Sequence, residues 1–485
     1  MTGRKERKRA ERKMAEGKER EPVMERKRRL EWFAFYDYAA IQAHLEDMAW
    51  KGWLIERLGN HIWSYRRIEP KRLHIAVTYF PDASEFDPEP TEGQRVMEEY
   101  CARDGWKRIA QWGSMQIFCN EEDCPVPIET DVVTQVETIH RSMRRNLLPP
   151  QLLLALVGIF QMVFMGWQLY ENPVEFLSAS SSIFLFPMWF LVTGMAFCEI
   201  VFYFYWYRQA REAAWNGRSL EIKTRRRASA VLLGISLFLV AMAFGSSPFG
   251  FYTLLFGAGI PAVAILTMKG AMAWMKRRGI SRSTNRVLSF GVTALAVFAA
   301  IGVMTVVIIR FGLPDGRNPV GTYGYDGWTF KIYDDPMPLR LEELTDLTEY
   351  EDCIWSYERE RDETFLLSHT EYRQRAVLRQ EKNAPSLDYT VTEVKVPVLF
   401  DFCKNSLLKK HQDEVFEKSG EIFRDSYVPA DASAWGADEA YQLEWSSGLL
   451  NHYLVCWENQ IVEIRFDWEP TREQMAAVGQ KLGFQ

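Results

Sequence analysis

The stretch LLLALVGIFQMVFMGWQLY, Leu152–Tyr170, decides the class of this protein. It carries no charge, and as a helix rising about 1.5 Å per residue it is long enough to cross roughly 30 Å of hydrocarbon. Four further apolar runs follow: Ile183–Tyr207, Ala228–Phe244, Phe251–Met268 and Val287–Ile309. In lipid a backbone amide has no partner but another amide, so the five runs predict five transmembrane helices.

The flanks of these runs alternate. Arg141, Arg144 and Arg145 precede the first, and only Glu171 and Glu175 follow it. The next link holds Arg208, Arg211, Arg218, Lys223, Arg225, Arg226 and Arg227. Gly245 to Gly250 is uncharged, and the last link returns to Lys276, Arg277, Arg278, Arg282 and Arg286. Basic links mark the cytoplasmic side, so the expected topology places the N terminus inside and the chain beyond Arg310 outside, in the plasma membrane. No secretory signal is expected, because the first apolar run begins past residue 150; that run is expected to serve as the insertion signal.

The formal charge of −6 conceals a strong asymmetry. Residues 1–30 hold 13 basic and 6 acidic side chains, a net of +7, whereas residues 313–485 hold 18 basic and 33 acidic, a net of −15. The first thirty residues have too few apolar groups to bury a core and are expected to form a disordered or helical basic tail, drawn to anionic lipid headgroups. Interruption by glutamates argues against nucleic acid. The expected domains are thus the tail 1–30, a cytoplasmic α+β domain 31–146, an all-α membrane region 147–312, and an acidic extracellular α+β domain 313–485. Cys353, Cys403 and Cys456 outside would permit one disulfide in three pairings, or none.

Residues 31–130 contain a duplication. Leu45-Glu-Asp-Met-Ala-Trp-Lys-Gly-Trp53 matches Met97-Glu-Glu-Tyr-Cys-Ala-Arg-Asp-Gly-Trp106, each an amphipathic helix ending in Gly-Trp. A glycine just past a helix end supplies a left-handed cap, and the tryptophan opens a strand. Each copy continues through a glycine turn (Gly59, Gly113) into a second strand, His61–Arg66 and Met115–Cys119, and is preceded by a strand, Trp32–Tyr36 and Leu73–Phe80. The unit is strand–helix–strand–strand, used twice, with helices expected on one face of the sheet. These Gly-Trp helices, the aromatic hairpin and the basic link into membrane helices resemble bacterial proteins carrying domain of unknown function 2812 (DUF2812), over about residues 31–145. The resemblance implies Gram-positive membrane proteins, often encoded beside a PadR-type transcriptional regulator, with no catalytic residues to carry over.

Beyond residue 313, the alternation in Tyr323–Tyr333 and Tyr389–Val398 predicts strands. Leu339–Leu344 and Phe400–Phe416 have helical spacing. Leu449–Phe466 reads as a hairpin turning at Glu458-Asn459, and Thr471 caps a last helix. Glu349–Asp352 and Glu358–Glu363 are acidic clusters without calcium-loop spacing.

No metalloprotease, paired-cysteine, phosphate-loop or nucleophile-elbow motif occurs, so no catalytic, cofactor-binding or metal-ligating residue is nominated. The seven histidines are read as surface or satisfied core residues. Glu199 is the sole acidic residue within the five runs, about 12 Å from the cytoplasmic end of its helix. A carboxylate at that depth is costly unless protonated or paired, which makes it a functional candidate. Pro187 and Pro261 are expected to kink their helices, and Tyr205, Trp206 and Tyr207 read as an aromatic belt. Trp53 and Trp106 are expected in the core, while Trp50, Trp63 and Trp112 are the candidates for an exposed protein-binding surface. The expected function is a non-enzymatic sensor or signalling-accessory protein with a protein partner; the alternative is a transporter or transporter subunit.

Overall fold

A computed structural model describes residues 25–59, 61–88, 90–218, 220, 226–245, 250–311, 319–325, 328–377, 384–410, 415–418, 421–424, 426–445 and 448–483. Most of the basic tail, Lys223 and Arg225 lie outside the described residues. The fold divides into two compact units.

The N-terminal domain opens with β1 (Arg26–Leu30), α1 (Tyr38–Trp50), β2 (Trp53–Arg57) and β3 (Ile62–Arg67), then repeats as β4 (His74–Tyr79), α2 (Glu92–Arg103), β5 (Lys107–Trp112) and β6 (Met115–Asn120). Each copy builds its own three-stranded antiparallel sheet with its last strand in the middle, β1-β3-β2 and β4-β6-β5. Duplication extends to fine detail. Gly52 and Gly105 both take φ +79°, the left-handed cap that lets each helix turn into its strand. The ladder then slips at the third residue after each tryptophan, at Glu56 and at Ile109.

Three expectations need correcting here. Residues 26–30 are a strand and not part of a tail: they pair with Ile62–Arg66, and Arg26 meets Glu56 at 2.9 Å. Trp32–Tyr36, expected as that strand, is irregular. Its backbone is displaced from the ladder because 26–30 already fill the edge of β3. Its rings pack instead, Phe33 on Trp63 and Phe35 edge-on to Tyr79. Nor do the helices share one face. Ile75, Val77, Ile117 and Cys119 join α1 and the following helix in the main core, while Ala76 and Phe118 lie on the other side with Cys101 of α2. Central strand β6 is therefore buried at all six positions.

The helices that follow are α3 (Val132–Asn146), α4 (Leu148–Glu171), α5 (Pro173–Ser178), α6 (Ser180–Trp215), α7 (Arg226–Gly245), α8 (Gly250–Arg277) and α9 (Arg282–Phe311). Among the described residues three helices are long and apolar enough to cross a membrane: α4, α6 and Arg282–Val306 of α9. The other two expected runs, Ala228–Phe244 and Phe251–Met268, fall within α7 and α8. Both α6 and α8 continue through their prolines, Pro187 and Pro261.

The C-terminal domain begins with a hairpin, β7 (Gly321–Tyr325) and β8 (Trp328–Ile332), where one strand was expected. Its body is a seven-stranded antiparallel sheet, in spatial order Ser426–Pro429, Glu439–Trp445, Gly448–Trp457, Gln460–Phe466, Leu387–Val394, Leu367–Ala376 and Trp355–Glu363. The strands are β9 (Trp355–Glu363), β10 (Leu367–Ala376), β11 (Leu387–Val394), β14 (Ser426–Pro429), β15 (Glu439–Trp445), β16 (Gly448–Trp457) and β17 (Gln460–Phe466); a separate hairpin pairs β12 (Val415–Lys418) with β13 (Glu421–Arg424). Helix α10 (Phe400–Lys410) ends before that hairpin, so the expected helix to Phe416 is too long. Leu341–Glu343 makes a single 3-10 turn. Helix α11 (Arg472–Leu482) starts at a capping box between Thr471 and Gln474. Both faces of the sheet are covered. Val455, Val462 and Ile464 pack under Trp435, Val478 and Leu482; Leu454, Cys456 and Ile461 pack under Cys403, Leu407, Phe176 and Leu177. All seven cysteines are free thiols, and burial holds Cys403 up at about 11 and Cys456 at about 12.

Candidate functional site

Helix α6 carries Tyr203, Trp206 and Tyr207 at the i, i+3 and i+4 positions that place side chains on one face. The N-terminal domain meets that face from two elements. Tyr36, in the turn before α1, sets its ring 5.6 Å from Tyr203 and 5.0 Å from Trp206. From α3, His140 stacks on Tyr207 at 3.9 Å and bonds through Nδ1 to the Tyr203 hydroxyl. Tyr203 is fully buried, and Ala210 and Ala214 extend the same contact toward the helix end. Small residues there let the helix approach closely, and the aromatic edges supply large buried area. The belt reading of this segment therefore divides: Trp206 is core, Tyr207 is a stacking partner, and Tyr205 is exposed and accepts a bond from Gln209 at 2.7 Å.

Glu199 lies one turn before Tyr203 on an exposed face of α6, with no hydrogen-bond or ion-pair partner among the described residues. It is near enough to Tyr36 that its carboxylate, after burial and ahead of Asp37, raises the Tyr36 phenol above its ordinary range. The three tryptophan candidates do not come together. Trp63 is core, donating from Nε1 to the Gly59 carbonyl at 2.9 Å. Trp112 is half-buried edge-on to Phe35. Trp50 alone is strongly exposed, with the Arg72 guanidinium 5.8 Å from its ring. The face they were expected to share is occupied by α3, whose Val136, Ile139 and Met143 join the core that holds Trp63. Trp106 is buried and donates to the Val126 carbonyl, whereas Trp53 is half-buried between Lys27 and Arg67.

Two buried carboxylates in this domain were not singled out from the sequence. Glu31 accepts from His44 Nε2 at 3.0 Å and lies 3.4 Å from Arg29 Nε. Glu129, in the loop before α3, has one carboxylate oxygen buried without a hydrogen-bond partner among the described residues. Burial holds its carboxyl up at about 7, from an ordinary 4.5. An acid raised in this way binds its proton more tightly folded than unfolded, so stability falls as pH rises from about 4.5 to about 7. Glu129→Gln should remove that slope and exceed the wild type at pH 8 by about 1–2 kcal/mol. Melting curves at pH 5 and pH 8 check this; an equal difference at both values would sink it. Among the described residues, no group of three His, Cys, Asp or Glu side chains is arranged to hold a metal ion.

No curated protein and no solved structure matches this chain. One family model does, over residues 37–149, from the Asp37 cap of α1 to the start of α4, and it is described as Protein of unknown function (DUF2812). Residues 37–149, which meet α6 through His140, are therefore a DUF2812 domain.

Proposed function

We propose that the protein is a non-enzymatic membrane sensor or signalling-accessory protein, crossing the plasma membrane five times with its DUF2812 domain in the cytoplasm and its acidic C-terminal domain outside. The observation that carries this reading is the path of α6. Its first turns, Ile183, Leu185, Phe186 and Trp189, pack against the core beneath the seven-stranded sheet; its last turns, Tyr203, Trp206, Ala210 and Ala214, are part of the DUF2812 core. Each unit thus packs its own part of the 36-residue α6 into its core, and a ligand outside and a partner inside would each act on the turns that belong to its own unit. The basic residues in the last turns of α3 and α8 and beyond the apolar run of α6 support the orientation. Glu199 faces outward and lines neither the cleft at Arg208 nor that at Arg361, which gives a transporter no added support.

The test has two arms. A membrane-impermeant maleimide should label Cys353 on intact cells and reach the exposed Cys124 only after permeabilisation. Proteins captured through the DUF2812 domain should then change when residues 313–485 are deleted. Labelling of Cys124 on intact cells would reverse the orientation, and an unchanged set of captured proteins would remove the signalling reading.

A further inference from the structure

The apolar run of α6 ends at Tyr207, and within two turns the chain presents Arg208, Arg211 and Trp215. These residues, with Tyr207, Glu212 and Asn216, line a cleft of about 390 Å³. Its lining holds two guanidiniums and one carboxylate. Neither guanidinium has a carboxylate within ion-pair distance among the described residues, although Glu212 stands at i+4 from Arg208. Elsewhere the same spacing does close, as between Asp47 and Lys51 at 2.6 Å. The lining amide bonds within its own helix, Asn216 Nδ2 donating to the Glu212 carbonyl at 3.0 Å.

A third guanidinium adds to the field. His140 is held below the ordinary histidine range first by burial and then by Arg144 of α3 and Arg211 of α6, so both cations bear on one locality. The C-terminal end of a helix carries about half a negative charge, which opposes anion binding; fixed guanidiniums outweigh it. Trp215 is 71% exposed, a large ring with a polar N–H at the polar end of an apolar helix, where bilayer interfaces concentrate such residues. Cationic forks at headgroup depth beside exposed aromatic rings match one ligand chemistry: a phosphate group whose attached apolar body lies alongside the helix.

We propose that this cleft binds the phosphate of an anionic phospholipid, with Arg208 and Arg211 on the phosphate oxygens and Tyr207 and Trp215 against the glycerol region. The site rests on α6 crossing a membrane and does not depend on which side its C terminus faces, nor on any signalling role. A soluble phosphate compound shares the recognising chemistry, and the test separates the two.

Full-length protein would be exchanged into detergent with phosphatidylglycerol or phosphatidylcholine, and retained lipid counted by native mass spectrometry. The wild type should retain phosphatidylglycerol preferentially. Arg208→Gln with Arg211→Gln should lower that preference about tenfold or more, taking roughly 1 kcal/mol per cation near a lipid surface. The paired Arg→Lys variant keeps the charge but loses the bidentate fork, and should fall between the two. Both positions are exposed, and an unchanged melting profile would confirm intact folding. Equal retention by wild type and the Gln variant would overturn the site. Pyrophosphate that binds without lipid, in an Arg208- and Arg211-dependent way, while phosphatidylglycerol shows no preference, would overturn the lipid as its source.

Discussion

Gly479→Ala is expected to destabilise the C-terminal domain by on the order of 3 kcal/mol or more, against the usual rule for glycine in a helix. In an exposed helix interior the same change stabilises by about 1 kcal/mol, because alanine loses less backbone entropy. Here Gly479 is buried, and a Cβ would stand 1.9 Å from the Trp435 carbonyl oxygen and 2.9 Å from its carbon. These are backbone atoms and cannot swing aside as a flexible side chain would. The helix cannot easily retreat either. Gln474 Nε2 donates to the Leu344 carbonyl at 2.6 Å, Lys481 pairs with Glu343 at 2.8 Å, and Val478 and Leu482 are buried on the same face. Relief therefore means undocking α11 and exposing Trp435, which is only 2% accessible. Denaturant melts followed by tryptophan emission would read this directly. The exposed Gln480→Ala on the same helix should shift stability by no more than about 0.5 kcal/mol. A Gly479→Ala protein as stable as that control would show the close approach to be soft.

Tyr203→Ala is the second large effect, expected to cost about 3–5 kcal/mol in the unit that holds the DUF2812 domain. The ring is fully buried among Tyr36, His140 and Trp206, so truncation leaves a void lined by rigid aromatics that collapse poorly. Tyr203→Phe keeps the ring and deletes only the hydroxyl bonded to His140, for about 1 kcal/mol. The pair separates packing from hydrogen bonding at the joint on α6. Thermal melts of the purified protein and protease sensitivity in the loop before α3 give the two readouts. If alanine and phenylalanine variants behave alike, the aromatic stack does not hold the domain to the last turns of α6.

Particular residues show how far the sequence could be read. The Gly-Trp pairs announced both helix ends, because a left-handed cap is a property of one residue and its neighbours. The same locality made Thr471 legible as a cap and Glu458-Asn459 as a turn. Strand β9 was hidden: Glu358–Glu363 looks like an acidic cluster, but it is the edge strand of the large sheet, where charge on an unpaired edge blocks association with other chains. The strand at 26–30 was hidden for a related reason. Its five residues include four cations, and only its pairing with β3 gives it a structure. Trp63 and Trp50 carry the same side chain, yet one is core and the other exposed, since that depends on where α3 docks.

What the sequence determined alone is the set of apolar runs, the charges between them and the repeated strand–helix–strand–strand unit. Hydropathy, caps and turns act over a few residues and are written wherever those residues stand. Only the tertiary structure decided that β6 is buried on two faces, that Tyr203 and His140 meet, and that Arg208 and Arg211 have no ion-pair partner among the described residues beside Trp215. Each of those depends on which distant segment excludes water from which face, a free energy that no local stretch contains.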